Sequence, residues 1–191
     1  MKVNDSGMPE EAYWNSLLDI EGIVDWLAIT ENSAIVEIGC GYGTFTVPIA
    51  KKSGGNIYAF DIEPSMIEIA RENVYKSGQS NVIFSLRDIL EQGTGIESNS
   101  VDMVLLFNIL HCNERRMLLA EASRILKKGG IVAIIHWRKD IPTPRGPAID
   151  LRPDITQILN AYEGLNLRYQ GNSRILEPYH WGIQLIKGDP A

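Results

Sequence analysis

Short apolar runs alternate with helix-like periodicity along most of this chain. Five runs have the length and composition of buried strands: 34–38, 56–60, 81–86, 101–107 and 131–137. Segments with apolar residues three to four positions apart predict helices over 13–27 (one or two helices), 44–52, 64–77, 113–128 and 154–163. This alternation is typical of βαβ units, so we expect a mostly parallel sheet.

The C-terminal part follows another pattern. Two strand-like runs, 165–175 and 179–187, are separated only by the turn LEPY, with no helix between them. Adjacent strands without a crossover connection must be antiparallel, so these runs predict a hairpin. The fold class is therefore α/β: a seven-stranded, mostly parallel sheet with helices on both faces and an antiparallel C-terminal hairpin strand.

Length and charge limit the organisation further. The 191 residues fit one domain, which we divide into an N-terminal helical cap (1–30), a ligand-binding core (31–140) and a substrate-side loop, helix and hairpin (141–191). The net charge of −6 disfavours a nucleic-acid partner. The sequence shows no signal peptide and no apolar run long enough to span a membrane, and Cys40 and Cys112 predict reduced thiols rather than a metal site. We therefore expect a cytoplasmic protein.

The chemistry begins in the loop after the first predicted strand, VEIGCGYGTFT (36–46). Gly39, Gly41 and Gly43 allow a ligand to lie against the backbone, at the sheet edge where parallel α/β folds bind ligands. The spacing is G-x-G-x-G, and Thr44 occupies the place of the third glycine of a dinucleotide fingerprint. No Lys-Ser/Thr pair follows, which excludes a phosphate-binding P-loop.

Two acids follow the next strands. Asp61 ends the second strand, where a carboxylate can accept hydrogen bonds from both hydroxyls of a ribose. Asp88 follows the third strand, where it can accept from an adenine amino group. The glycine loop, Asp61 and Asp88 would then converge on one adenosine-containing ligand.

These segments carry a resemblance to a known family. In order, and within about residues 30 to 140, they read VEIGCGYGTFT, IYAFDIEPSMIEIA, SLRDIL, VDMVLLFNILH and ILKKGGIVAIIHW. The series resembles the successive motifs of class I S-adenosylmethionine-dependent methyltransferases, and is most similar to the type 11 or UbiE-like group. The resemblance implies a Rossmann-like fold, S-adenosyl-L-methionine as cofactor, and methyl transfer as the activity.

The resemblance also implies roles for particular residues. Asp61 would bind the ribose with Ile62 against the adenine, and Asp88 would bind the adenine amino group beside Ile89. Asn108 would lie near the methionine part and the methyl group. The remaining cofactor-binding candidates surround the methionine part and ribose from the glycine loop: Glu37, Gly39, Cys40 and Gly41.

Catalytic candidates are assigned less directly. Methyl transfer needs a base only when the acceptor arrives protonated. The strand at 165–175 is expected to run parallel to the others, so the turn after it would lie at the cofactor edge. Our first candidates for a base or orienting group are His180 and Tyr179 in this turn, followed by His111.

The acceptor is expected to be a small molecule. The segment after the fourth strand reads FNIL and lacks the N/D-P-P-Y/F motif of enzymes that methylate nucleic-acid amino groups. We expect no nucleic-acid or membrane partner, and a monomer or homodimer. Two alternatives remain open at this point: a non-catalytic domain that binds or senses an adenosine ligand, and an NAD-dependent oxidoreductase, which the glycine spacing disfavours.

Overall fold

The computed structural model describes residues 8–188, in which helices pack on both faces of one sheet. The strands of this range are β1 (Ile35–Ile38), β2 (Ile57–Asp61), β3 (Val82–Leu86), β4 (Val101–Phe107), β5 (Leu126–Trp137), β6 (Leu167–Leu176) and β7 (His180–Lys187). They form a 7-stranded sheet in the order β3-β2-β1-β4-β5-β7-β6. Only β7 pairs antiparallel with its neighbours, which confirms the predicted fold class.

The helices lie mainly in the connections between strands. Within residues 8–188 they are α1 (Glu11–Ser16), α2 (Ile20–Trp26), α3 (Thr46–Lys52), α4 (Pro64–Lys76), α5 (Ile89–Gln92), α6 (Arg115–Ile125) and α7 (Ile155–Tyr162). A single 3₁₀ turn lies at Ile149–Leu151. None of the helices in this range is long and apolar enough to cross a lipid bilayer.

The core follows the two-residue period of the strands. On one face Val36, Val104 and Val132 pack with the apolar residues of α6 and α7. On the other face the neighbouring residues, such as Ile35 and Leu105, pack against α2 and α3. Because both faces are covered, the central strands are continuous apolar runs, which is the pattern that the sequence shows.

The C-terminal hairpin inserts β7 between β5 and β6. β7 pairs along β5 from Ile131↔Ile186 to Trp137↔His180, and β6 pairs with the other side of β7. β6 therefore runs parallel to β5, and the turn at 177–179 lies at the carboxyl edge of the sheet, as the sequence predicted. This edge is also where β1, β2 and β4 end.

The junction between α6 and β5 corrects a sequence prediction. We expected the helix to reach about residue 128, but α6 ends at Ile125 and β5 begins at Leu126. Leu126 is fully buried and pairs with Val101, and the ammonium of Lys127 lies 2.7 Å from a carboxylate oxygen of Asp102. These tertiary contacts outweigh the helix preference of the local sequence.

The segment after the glycine loop differs as well. α3 begins at Thr46 rather than at 44, and the Thr44 hydroxyl instead donates to the side-chain oxygen of Asn15, 2.8 Å away. The short helix α5 was not predicted, because one turn capped by Asp88 has no periodicity to detect. Residues 1–7 of the predicted cap and 189–191 of the predicted C-terminal region lie outside the described residues.

Candidate active site

A cavity of about 260 Å³ opens along the carboxyl edge of the sheet. Its wall follows the strand ends in spatial order, from β3 through β2, β1 and β4 to β5. This is the edge at which open parallel sheets bind ligands, because the connections there diverge and leave a crevice. All the predicted cofactor-binding residues line this cavity: Glu37, Gly39, Cys40, Gly41, Asp61, Ile62, Asp88, Ile89 and Asn108.

The glycine loop has a backbone that other residues adopt with difficulty. Gly39 and Gly41 line the cavity with φ of 80° and 53°, and a Cβ on Gly39 would lie 2.8 Å from the Cγ2 of Ile109. Gly43 has a different role. It does not line the cavity, and its missing side chain lets the loop approach Ala70 of α4 closely. The first two glycines therefore shape the cavity, and the third packs the loop on a helix.

Asp61 connects the end of β2 to the glycine loop. One carboxylate oxygen accepts from the Gly41 N–H at 2.8 Å, and the other accepts from the Glu63 N–H at 2.9 Å. Burial raises the pKa of Asp61, and the backbone N–H donors oppose this shift. Each oxygen of a carboxylate has two lone pairs, so Asp61 can hold the loop and still accept from a ligand.

Glu37 is a buried acid within β1. Its carboxyl accepts from the Thr46 hydroxyl at 2.5 Å and lines the cavity beneath the glycine loop. Burial raises its pKa to about 8, an effect that the Thr46 hydrogen bond reduces and the nearby Asp61 increases. Glu37 is therefore mostly protonated at neutral pH when no ligand is present, and a cation placed beside it would favour the ionised form.

Asp88 and Asn108 complete this part of the wall. The Asp88 carboxylate caps α5 by accepting from the Leu90 N–H at 3.0 Å. Asn108 follows β4 with φ of 57°, and its N–H donates to the carbonyl of Ile135 at 2.8 Å. Its side-chain oxygen is buried and has no hydrogen-bond partner among residues 8–188. A buried acceptor without a donor is costly, so this atom fits a ligand that brings an N–H or O–H group.

The three catalytic candidates lie in different environments. The His111 side chain lines the cavity after β4. His180 is fully buried behind Trp137, with the two ring centroids 4.2 Å apart, and neither His180 nor Tyr179 belongs to the cavity wall. Tyr179 stacks on the same tryptophan at a centroid distance of 6.3 Å. The structure therefore brings only His111 of this group to the cavity.

Sequence reasoning gave no site role to several other residues of the wall. They are Met8, Phe45, Phe107, Ile109, Gly146 and Pro147, whereas Trp14 lies in the predicted cap and Trp137 at the end of a predicted strand. Trp14 comes from α1, and Gly146 and Pro147 come from the proline-rich loop 141–153, so these residues are far apart in the chain. The sequence signal was the location of Trp137 at a strand end and the unusual density of prolines in this loop.

The residues of the cavity fit S-adenosyl-L-methionine. That cofactor carries a ribose diol and an adenine amino group, and the carboxylates of Asp61 and Asp88 can accept hydrogen bonds from them. Its cationic groups suit a wall with Glu37 and the unpaired oxygen of Asn108. Gly39 and Gly41 leave room for it against the backbone.

The fold and this site define a class I S-adenosylmethionine-dependent methyltransferase. A family model described as a methyltransferase domain matches residues 29–162. The chain belongs to this family, and its cofactor is S-adenosyl-L-methionine.

Solved structures agree with this assignment. A SAM-dependent methyltransferase from Aquifex aeolicus superposes with a TM-score of 0.80 at 23% identity, over 93% of this chain and 94% of that one, which shows the shared fold. A protein from Sulfolobus solfataricus, assigned to the type 11 methyltransferases, superposes with a TM-score of 0.72 at 26% identity, over 91% and 94% of the two chains.

Curated relatives share only part of their length with this chain. The ribosomal protein L11 methyltransferase of Syntrophomonas wolfei is 32% identical over 97 residues, which are 50% of this chain and 30% of that enzyme. Across the first four such relatives the chain spans between 16% and 59% of their length. The common part is therefore the methyltransferase core.

Proposed function

We propose that this methyltransferase transfers a methyl group to a small molecule. The observation that supports this most is the second half of the cavity, beyond Asn108. There α1 and the proline-rich loop cover the carboxyl edge, leaving a compartment of limited size next to the cofactor-binding half. A compartment enclosed by loops suits a compact acceptor better than a folded protein or an RNA helix.

We propose the following roles for the chain in holding the cofactor. Asp61 accepts from the ribose hydroxyls and Asp88 from the adenine amino group, with Ile62 and Ile89 against the adenine ring. The methionine part is held by Glu37, Gly39, Cys40, Gly41 and Asn108. When bound, S-adenosyl-L-methionine supplies a methyl group that is already activated by a sulfonium leaving group.

The remaining work of the chain is to position the acceptor and exclude water. Correct placement of two reactants removes much of the entropic barrier of a bimolecular reaction. In this proposal Trp14 and Trp137, whose rings meet edge to face at 6.1 Å, close the cavity on the acceptor side. The described part of the predicted N-terminal cap, α1 and α2, covers the core within a single domain in this proposal.

A binding experiment tests the assignment of Asp61. Asp61→Ala should weaken S-adenosylhomocysteine binding by about 1–3 kcal/mol, the scale of hydrogen bonds to a charged group. Asp102→Ala is the matched control, because Asp102 also accepts from a backbone N–H, that of Ala34 at 2.9 Å, but does not line the cavity. Isothermal titration calorimetry should show the loss only for Asp61. Equal affinities for the wild type and Asp61→Ala would contradict the role.

The class of acceptor is tested separately. With methyl-labelled cofactor and a cell extract, we expect the label in the small-molecule filtrate. Incorporation into precipitated protein or RNA, with none in the filtrate, would overturn the small-molecule proposal.

A further inference from the structure

The cavity has a charged half and an uncharged half. Its acidic and basic side chains lie at the ends of β1, β2 and β3, and they are Glu37, Asp61, Glu63, Arg87 and Asp88. We call the remaining part of the wall the acceptor compartment. It consists of Trp14, Phe45, Phe107, His111, Trp137, Gly146 and Pro147, and Met8 and Ile109 lie at its border next to Gly41 and Gly39. Among these described residues there is no Asp, Glu, Lys or Arg. The asymmetry follows the sheet order, because β4 and β5 lie on the other side of β1.

The aromatic wall of this compartment is held in place from behind. Trp137 packs against His180, and the guanidinium of Arg152 lies 5.9 Å from its ring centroid. Arg152 also donates to the carbonyls of Arg138, Arg145 and Pro147, at 2.8, 3.2 and 2.8 Å. Gly146 is required at this point, because a Cβ there would lie 2.9 Å from the Trp137 ring. The compartment is therefore largely preformed.

Such a wall discriminates between chemical classes of acceptor. A carboxylate or ammonium entering it would lose its hydration and meet no opposite charge among the residues that line the compartment, which disfavours its binding. A planar apolar ring would gain contact with Trp14, Phe45 and Trp137, since aromatic pairs stabilise binding beyond the area that they bury. The compartment thus favours an uncharged aromatic molecule.

One side chain of the compartment can accept a proton. Burial lowers the pKa of His111, and the positive charge of Arg115 on α6 lowers it further, while the backbone carbonyl of Asn108 opposes the shift. His136 of β5 faces the same ring at a centroid distance of 5.8 Å and is itself kept neutral by burial. Cys112 also borders the cavity, but burial raises its pKa and keeps it a thiol. At neutral pH His111 is therefore an uncharged imidazole with a lone pair available.

Resting on the proposed function, we propose that the methyl acceptor is an uncharged aromatic hydroxyl compound whose proton passes to the imidazole of His111. The acceptor O–H bond breaks as an O–C bond to the methyl carbon forms. The bond between that carbon and sulfur breaks, and its electron pair stays on sulfur, which becomes a neutral thioether. The positive charge passes to the imidazolium of His111, which then releases its proton to solvent.

The first test measures binding without turnover. The protein is saturated with S-adenosylhomocysteine and titrated calorimetrically with 2-naphthol, with anionic 2-naphthoate and with naphthalene. We expect 2-naphthol to bind at least about tenfold tighter than 2-naphthoate, a difference of about 1.4 kcal/mol. Trp14→Ala should weaken 2-naphthol binding at least about fivefold. Tyr75→Ala, which removes an aromatic ring on the exposed surface of α4, should leave it unchanged.

Two results of this titration would overturn the inference. One is binding of 2-naphthoate as tight as, or tighter than, that of 2-naphthol. The other is an unchanged 2-naphthol affinity in Trp14→Ala. If the wild type did not bind S-adenosylhomocysteine at all, the proposed function itself would be contradicted. The failure of the inference and the failure of the proposed function are therefore distinguishable.

The second test concerns His111. Glutamine can form hydrogen bonds but cannot take a proton, so His111→Gln should keep S-adenosylhomocysteine and 2-naphthol affinities within about threefold. Its kcat for labelled methyl transfer to uncharged phenols should fall at least about 100-fold, the usual scale of general-base catalysis. The wild-type kcat should decrease as the pH falls through the lowered pKa of His111. A His111→Gln variant with wild-type kcat, or no methyl transfer by the wild type to 2-naphthol or any other uncharged phenol tested, would overturn the inference.

Discussion

At the residue scale, Glu37 shows the energetic cost of burying a carboxyl group in this site. It is only 2% exposed, and its hydrogen bond from Thr46 does not offset the burial that raises its pKa to about 8. The folded state therefore binds this proton more tightly than the unfolded chain, whose carboxyl keeps a value near 4.5. It follows that the contribution of Glu37 to stability decreases as the pH rises from about 4.5 through 8.

This leads to a prediction for Glu37→Gln, which retains an acceptor for Thr46 without an ionisable proton. At pH 4 its free energy of unfolding should match that of the wild type. At pH 8 the variant should be more stable by about 4 kcal/mol, since one pKa unit corresponds to about 1.4 kcal/mol. Urea unfolding at both pH values measures this.

An exposed acid supplies the control for this measurement. Glu72 pairs with Lys76 on the surface of α4, so Glu72→Gln should differ from the wild type by the same small amount at both pH values. A difference between Glu37→Gln and the wild type that does not change with pH would refute the assignment to Glu37.

Some of the site residues can be identified from the sequence alone. Asp61, Asp88 and Asn108 were predictable because each lies at or just after the end of a strand of the parallel sheet, and parallel strands end at one edge. His180 was placed at that edge by the same reasoning. The direction of the His180 side chain depends on the pairing of β7 with β5. This pairing places the imidazole behind Trp137 and not in the cavity.

At the scale of elements, the loop 141–153 is ordered by one buried side chain. Arg152 donates to three backbone carbonyls and is 6% exposed, so the loop has a support that does not depend on an ion pair. Buried carbonyls that lose such a donor cost roughly 1–3 kcal/mol.

We therefore predict a local effect of Arg152→Lys. Lysine cannot reproduce the planar fork that reaches several carbonyls at once. Amide hydrogen exchange of residues 141–151 should become at least about tenfold faster, while exchange in β1 and β4 stays unchanged. Arg116→Lys is the control, since Arg116 also donates to two carbonyls, those of Ala161 and Glu163, but on the exposed surface. Unchanged exchange in the loop of Arg152→Lys would contradict this role.

At the scale of the whole molecule, buried neutral histidines oppose the effect of Glu37. Burial, with a smaller contribution from the charge of Arg152, lowers the pKa of His180 from 6.5 to about 3. The pKa of His136 is lowered well below its usual value by burial and by the neighbouring His111 and His180. The unfolded chain binds these protons more tightly than the folded state, so stability is lost as the pH falls below 6.5. Together with Glu37, this predicts maximal stability near pH 6.5.

His180→Leu tests the acidic side of this curve. Both ring nitrogens of His180 lack hydrogen-bond partners within residues 8–188, so the substitution leaves no donor or acceptor unpaired there. Between pH 7 and 4.5 the wild type should lose about 2–3 kcal/mol more stability than the variant. Urea unfolding across this range measures the difference, and parallel curves for the two proteins would exclude His180 as the cause.

The sequence by itself determined the order of the strands, the sheet edge at which the cavity opens, and the proposed cofactor-binding residues, all of which line this cavity. These properties depend on local sequence, because strand ends, glycines with positive φ and the acids at strand ends are each encoded within a few residues. The end of α6 at Ile125 could not be predicted from the local sequence, because the pairing of Leu126 with Val101 of β4 determines it.

Only the tertiary structure decided the acceptor compartment. Trp14, Trp137 and Pro147 come from α1, β5 and the loop after it, and no sequence spacing relates them. They become neighbours because helices and loops from separate connections fold over one edge of the sheet. The same folding placed His111 in the cavity and His180 behind its wall, since strand register and the covering of each side chain depend on the partners across the sheet.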